Sequence, residues 1–200
     1  VHRTALEFWF DFGSNYSYLA AMRIEALANA SDVSVVWRPF LLGPIFASLG
    51  WSTSPFVLQK EKGEYVARDM VRLCARHGLA WRPPTTFPRN AVYPMRVAAA
   101  HEDAAWVPSF CRRFMAMNFA EDRDINSLAL AAEVLRDLGE DGSALVAAAQ
   151  TDEGKARLRT RGEQARQRRI FGAPTFLVGS EMFWGNDRME DAIAWAACGH

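Results

Sequence analysis

Cysteine is scarce in this 200-residue chain, and Cys74, Cys111 and Cys198 are widely spaced and never form a Cys-x-x-Cys pair. That excludes a disulfide framework and points to buried thiols in a reducing compartment. An excess of either charge is missing too. The 23 Lys plus Arg match the 23 Asp plus Glu, so no global field draws the chain to nucleic acid or an anionic membrane, and binding has to come from a local site. No segment approaches about 18 uninterrupted apolar residues, and the opening Val1-His-Arg-Thr-Ala-Leu-Glu has no apolar signal run. A cytoplasmic protein with no membrane partner is the expectation. The histidines His2, His77, His101 and His200 show no ligand spacing, so no metal is signalled. Repeats and low-complexity segments are absent. A chain of this length buries roughly 70% of its unfolded surface, which suits one domain or one domain with an insertion.

What is present centres on Trp9-Phe-Asp-Phe-Gly-Ser-Asn-Tyr-Ser-Tyr-Leu19. Leu6, Phe8, Phe10 and Phe12 alternate with Glu7, Trp9 and Asp11, which is strand periodicity. After Gly13, Ser14 stands at a helix N-cap position, and Leu19, Met22, Ile24 and Leu27 carry helical spacing through Ala28. A helix start offers free N–H groups and partial positive charge, favouring an anion such as a thiolate. In thioredoxin-like proteins this strand-to-helix turn carries Cys-x-x-Cys. Here it reads Ser14-Asn15-Tyr16-Ser17, which excludes dithiol exchange but leaves a hydroxyl able to hydrogen-bond a thiolate brought by a ligand. An ordinary serine cap explains the same residue.

Val33 to Pro39 reads as a second strand, parallel to the first through a helical crossover. From Phe40 to Pro55 the glycines and prolines predict a loop and a domain junction. Helical stripes follow: Val66, Met70, Leu73, Cys74 and His77, stopped by Gly78; a helix from Arg96 to Ala104 after a proline-rich loop; Trp106, Phe110, Phe114 and Met117; and Leu128, Ala131, Leu135 and Leu138, capped by Asn126 or Ser127 and stopped by Gly139. These aromatic and methionine stripes read as core. A basic helix from Asp152 to Ile170 reads as a solvated face. Pro174 then opens a strand, Gly179-Ser180 turns a β-hairpin, and Asp187 with Glu190 gives a helix-start signature. The order strand, helix, strand, insertion, helix, hairpin, helix predicts an α/β, thioredoxin-like fold with an inserted all-α helical domain. Residues 1–42 and 151–200 form the thioredoxin-like part and 43–150 the insertion.

Five segments carry a family resemblance: Phe10-Asp-Phe-Gly-Ser-Asn-Tyr-Ser-Tyr-Leu19, Arg38-Pro-Phe-Leu-Leu-Gly-Pro44, Phe87-Pro-Arg-Asn90, Phe171-Gly-Ala-Pro-Thr175 and Trp184-Gly-Asn-Asp-Arg188. Together they resemble the 2-hydroxychromene-2-carboxylate isomerases, glutathione-dependent members of the DsbA-like, kappa-class glutathione transferase group. The resemblance implies glutathione as cofactor, an aromatic acid as substrate, a homodimer, and Ser14 as the catalytic serine contacting the glutathione sulfur. It implies a cis peptide before Pro174 that aims the Ala173 backbone at the tripeptide, with Trp184, Gly185, Asn186 and Asp187 holding the γ-glutamyl end. Lys62 matches a lysine that reaches glutathione in the kappa-class relatives. The family's Gly-Trp-Asn-type loop reads Gly50-Trp51-Ser52 here, so Ser52 stands for the amide, with Thr53 and Ser54 as alternatives. Arg89, Asn90 and Tyr93 are candidates for the aromatic acid's pocket, with Phe46 and Trp51 as its apolar walls. The implied mechanism is thiolate addition to the conjugated substrate, bond rotation and thiolate release. A glutathione transferase and a non-catalytic glutathione- or peptide-binding module remain as alternative readings.

Overall fold

A computed structural model describes residues 5–199. Val1 to Thr4 and His200, and with them two of the histidines weighed above, His2 and His200, lie outside the described residues. In chain order the elements are β1 (Ala5–Phe10), α1 (Asn15–Ala21), α2 (Ile24–Ala30), β2 (Ser34–Pro39), α3 (Leu42–Ser48), α4 (Pro55–Leu58), α5 (Lys60–His77), α6 (Val92–Ala100), α7 (Val107–Phe119), α8 (Leu128–Asp137), α9 (Gly142–Gln150), α10 (Asp152–Gln167), β3 (Thr175–Val178), β4 (Glu181–Trp184), a 3₁₀ turn (Asn186–Arg188) and α11 (Met189–Ala197). The strands form one sheet in the order β2-β1-β3-β4. β1 runs parallel to β2 and antiparallel to β3, which pairs antiparallel with β4. This is the thioredoxin-like arrangement, with the run of helices from α3 to α9 inserted between β2 and the closing α10-β3-β4-α11 unit.

β1 is central and buried on both faces, which its dense aromatic run requires. On one face Phe8 meets its register partners, Trp37 edge-on at 5.0 Å and Phe176 stacked at 5.5 Å. That face continues into the helices, because Phe12 stacks on Phe114 of α7 at 5.8 Å and Phe114 packs on Phe110 at 4.6 Å. One hydrophobic cluster thus joins the sheet to α5, α6, α7 and α8. On the opposite face Trp9 packs against Phe40 at 5.9 Å.

Four local readings are corrected by the structure. The first helix breaks after Ala21 and restarts at Ile24, with Arg23 (φ −120°) at the join. Arg23 turns to Asn186 (3.4 Å) and to Glu190. The stretch 40–55 contains α3, whose Gly43 and Pro44 sit in its first turn, where a missing N–H costs nothing. By the same logic α6 starts at Val92 and takes in Pro94. The basic face of α10 is not wholly solvated: Arg161 lies over the Trp9 ring at 5.6 Å and pairs with Glu102, which also holds Arg38 at 3.2 Å. Burial lowers the Arg161 pKa from its ordinary value.

Among the described residues no helix is long and apolar enough to cross a membrane. Cys74 and Cys111 are buried free thiols, and Cys198 is exposed. Burial pushes Cys74 up to about 11 and Cys111 well above the usual thiol value, so neither is a ready nucleophile.

Candidate functional site

The chain leaves β1 through Asp11, Phe12 and Gly13 and enters α1 at Ser14, which has the extended backbone of an N-cap (φ −91°, ψ 114°). Ser14 is 7% exposed. Its N–H donates to the Asp11 carbonyl (3.0 Å), and its Oγ accepts from the Ser17 N–H (3.2 Å). The hydroxyl donates to the Ala173 carbonyl (3.0 Å), 159 positions away, and the Ala173–Pro174 peptide is cis. The helix start is less open than periodicity predicts. α1 has only seven residues, and its Tyr16 N–H is taken by the Asn15 side-chain oxygen (3.0 Å). The N–H of Asn15 is left as the unpartnered donor of that turn among the described residues. Ser17 is fully buried and its Oγ has no partner, so it stands behind the site.

Asp11, which strand periodicity only sets on the face opposite Phe10 and Phe12, shapes the turn. Its Oδ1 accepts from Gly13 N–H (2.8 Å) and its Oδ2 from Leu42 N–H (2.7 Å), so one carboxylate ties the Ser14 turn to the start of α3. Burial raises its pKa above the usual aspartate value, against the lowering effect of those two N–H groups. No local pattern announces this role, because Leu42 is 31 residues away.

Ser14 and Asp11 line a cleft of about 1150 Å³ between the sheet end and α3, α4 and α5. Trp184, Gly185, Asn186 and Asp187 are part of its lining, together with Ala173 and Pro174. Trp184 crosses Phe171 edge-on at 4.9 Å, and its Nε1 lies where a Cβ on Gly172 would fall, only 2.4 Å from that position. Gly185 has φ 107°, and a Cβ there would lie 2.6 Å from Asp187 Oδ1, so glycine is needed at this turn. Asp187 is not the cap of the last helix. The chain makes a 3₁₀ turn first and the capping position falls to Arg188, whose side chain does not cap, which leaves the Asp187 carboxylate largely exposed at the cleft. Asn186 is buried and accepts from Arg23, so its side-chain oxygen is already engaged.

The cleft lining also carries Phe46 and Trp51, with ring centroids 5.7 Å apart, along with Ser52, Thr53, Ser54, Lys62 and Asn90. Ser54 Oγ caps α4 by accepting from Phe56 N–H (3.2 Å). Asn90 Oδ1 accepts from Val92 N–H (3.1 Å) at the start of α6. Tyr93 lies outside the cleft lining, on α6 beside Arg96, whose guanidinium is 5.8 Å from its ring. The early start of α6 at Val92 sets Tyr93 on the helix instead of in a loop. The Arg89 guanidinium is spent on Asp122 and the Arg123 carbonyl, both at 2.6 Å, and on Asn118 at 3.2 Å, so its charge is withdrawn from the pocket.

The sequence reading missed several cleft residues. Phe56 stacks on Phe87 at 6.4 Å and meets Tyr16 edge-on. The Tyr16 hydroxyl donates to Asp69 Oδ2 (2.8 Å). Burial first, then Asp69, raises the Tyr16 pKa and keeps the phenol neutral. The Phe87–Pro88 peptide is cis. An aromatic outside a helical or strand stripe gives no sign that it faces a cavity.

Comparison with known proteins places this geometry in a family. The model of the DSBA-like thioredoxin domain matches residues 5–193. The 2-hydroxychromene-2-carboxylate isomerase of Sphingobium xenophagum is 31% identical over 193 residues, covering 92% of this chain and 94% of that relative. That of Pseudomonas putida is 29% identical over 192 residues, covering 92% and 90%. A solved structure of a 2-hydroxychromene-2-carboxylate isomerase superposes with a TM-score of 0.85 at 25% identity, covering 97% of this chain and 96% of that one. The chain belongs to the DSBA-like thioredoxin domain family and, within it, to the family of the 2-hydroxychromene-2-carboxylate isomerases.

Proposed function

We propose that the chain is a glutathione-dependent isomerase interconverting 2-hydroxychromene-2-carboxylate-type and trans-o-hydroxybenzylidenepyruvate-type aromatic acids. The observation that carries this reading is a serine, not a cysteine, hydrogen-bonded to the Ala173 carbonyl at the floor of a cleft with aromatic walls. At about 1150 Å³ the cleft exceeds the roughly 300–1,000 Å³ of a one-ligand pocket, which suits a tripeptide beside an aromatic acid. The N–H groups of Ala173 and Asn15 have no partner among the described residues and are available to a peptide ligand. The Asp187 carboxylate suits an ammonium group. Lys62, without an ion-pair partner among the described residues, suits a carboxylate.

Glutathione, when bound, supplies a thiolate nucleophile that frees a conjugated double bond to rotate. The chain's own part is to hold and orient. Ser14 has one hydroxyl proton, which rests on the Ala173 carbonyl. Rotation about the Cβ–Oγ bond redirects it to a sulfur anion while Oγ keeps the Ser17 N–H. The Phe46–Trp51 and Phe56–Phe87 pairs offer apolar walls to a planar ring and exclude water from it.

Calorimetric titration of reduced glutathione into the wild type and Ser14→Ala, with proton release counted in two buffers, tests the cofactor. Absorbance assays with a hydroxychromene carboxylate test the reaction. Binding with proton release near neutral pH is expected for the wild type and less release for the variant. Turnover should fall by about 10²-fold or more, against a stability loss of about 1 kcal/mol for the missing cap. No binding at millimolar glutathione overturns the cofactor reading. Conjugation of an electrophile without hydroxychromene conversion makes the chain a transferase instead.

A further inference from the structure

The turn that carries Ser14 is held from behind by a residue outside the cleft lining. Asn118, in the last turn of α7, is 1% exposed. Its side-chain amide donates to the Phe12 carbonyl (2.9 Å), and its Oδ1 accepts from Arg89 Nη1 (3.2 Å). A guanidinium only donates, so the amide oxygen has to face Arg89 and the amide nitrogen has to face Phe12. Arg89 is itself fixed by the Arg123 carbonyl (2.6 Å), Asp122 Oδ1 (2.6 Å) and Thr85 Oγ1 (3.3 Å), and Asp122 Oδ1 also accepts from Thr85 N–H (2.9 Å). The same loop returns to the turn through its backbone: the Arg89 carbonyl oxygen lies 3.2 Å from where a Cβ on Gly13 would sit. Phe12 and Gly13 are therefore touched in succession by one buried polar bridge running from the loop before α6 through the end of α7.

We propose that Asn118 is a positioning residue for Ser14, holding the Phe12-Gly13-Ser14 turn at the height where the Ser14 hydroxyl reaches the Ala173 carbonyl and the sulfur of a bound thiol. This rests on the reading of Ser14 as the group that meets that sulfur. The geometry gives the reason. The Ser14–Ala173 bond is 3.0 Å, and a shift of about 1 Å takes a hydrogen bond out of range and can cost about 10²-fold in rate. The Phe12 carbonyl is two residues from Ser14, so releasing it moves the serine directly.

The test needs a readout that stability alone does not move. Ser14→Cys in a Cys198→Ser background places a thiol on the turn, with Cys74 and Cys111 buried and slow to react. Its alkylation rate by iodoacetamide against pH reports the local geometry without any ligand. Adding Asn118→Leu, similar in size but unable to hydrogen-bond, should change that rate at pH 7 by about tenfold or more. Val107→Ala trims a fully buried side chain at the far end of the same helix. It should leave the rate within about twofold at a comparable fall in Tm. In the serine-bearing protein, Asn118→Leu should lower kcat by about 10- to 100-fold and change KM for the aromatic acid by less than about threefold. Equal rate changes in the two variants, or none with Asn118→Leu, overturn the proposal. If Asn118→Leu does not fold, Asn118→Asp keeps the acceptor for Arg89 and replaces the donor to Phe12 by a carboxylate oxygen that repels that carbonyl, and the same change in alkylation rate is expected. A wild type that neither binds glutathione nor isomerises sinks the functional reading alone, because the thiol readout uses no glutathione and still decides the role of Asn118.

Discussion

Two residues divide the work at the Ser14 turn. Ser14 caps α1 and reaches across to the Ala173 carbonyl, while Asp11 ties the turn to α3. The Asp11 carboxyl is buried, and burial raises its folded pKa above the ordinary aspartate value. The folded state then holds this proton more tightly than the unfolded chain. Its contribution to stability is fully present below the unfolded pKa and is lost as the pH rises through the folded one. Asp11→Asn removes that titration. The stability difference, wild type minus variant, should therefore favour the wild type most below about pH 4 and shrink as the pH rises above it. Urea unfolding at a series of pH values measures this difference; one that is flat or grows with pH refutes the burial argument.

Among the elements, α10 holds two glycines with opposite consequences. A Cβ on Gly154 would lie 2.4 Å from the Ala148 carbonyl oxygen and 2.8 Å from Ala149 backbone atoms, so the end of α9 rests on bare Cα there. At Gly162 nothing lies within 4 Å of the same position. Gly154→Ala should destabilise by about 1–3 kcal/mol through overpacking, and Gly162→Ala should stabilise by about 0.5–1 kcal/mol through helix propensity. Thermal unfolding of the two variants gives the signs, and a shared sign rejects the packing account. The elements also differ in legibility. α8 announces itself by its stripe and its Ser127 cap, which accepts from Leu130 N–H (3.2 Å). α9 escapes a periodicity reading because it opens on Gly142 and Ser143 and four of its nine residues are alanine, with only Leu145 and Val146 as larger apolar residues. α3 escapes because Gly43 and Pro44 signal a loop, while the group that takes its first N–H comes from β1's end.

For the whole molecule, the question is whether residues 43–150 unfold apart from the sheet. Their stripes have no core of their own: Phe110, Phe114, Met95 and Leu135 join Phe8, Phe10, Phe12 and Phe176 in one cluster. A shared core makes separate melting costly, since exposing either part strips apolar surface from the other. Denaturant unfolding followed by far-UV circular dichroism and by tryptophan fluorescence should give coincident transitions. Trp9 and Trp37 report the sheet, and Trp81 and Trp106 the helices. Two separated midpoints count against the shared core.

Local chemistry written within a few residues was enough to determine the alternation of β1, the serine at the head of α1, the hairpin of β3 and β4 and most helical stripes, and their order sufficed for the fold class. Caps and stripes depend on neighbours three or four positions apart, so sequence displays them. The working details of the site depend on partners brought together by packing. Ser14 meets Ala173 across 159 positions, Asn118 meets Phe12 across 106, and Asp11 meets Leu42 across 31. Arg89 and Tyr93 make the same point in reverse. Both are candidates for the aromatic acid's pocket by sequence, yet buried acceptors claim the guanidinium of one and an early helix start carries the other outside the cleft. Which polar groups are spent inside the protein and which are left for a ligand is decided only when the distant segments meet, because a buried donor or acceptor takes the nearest partner the fold provides.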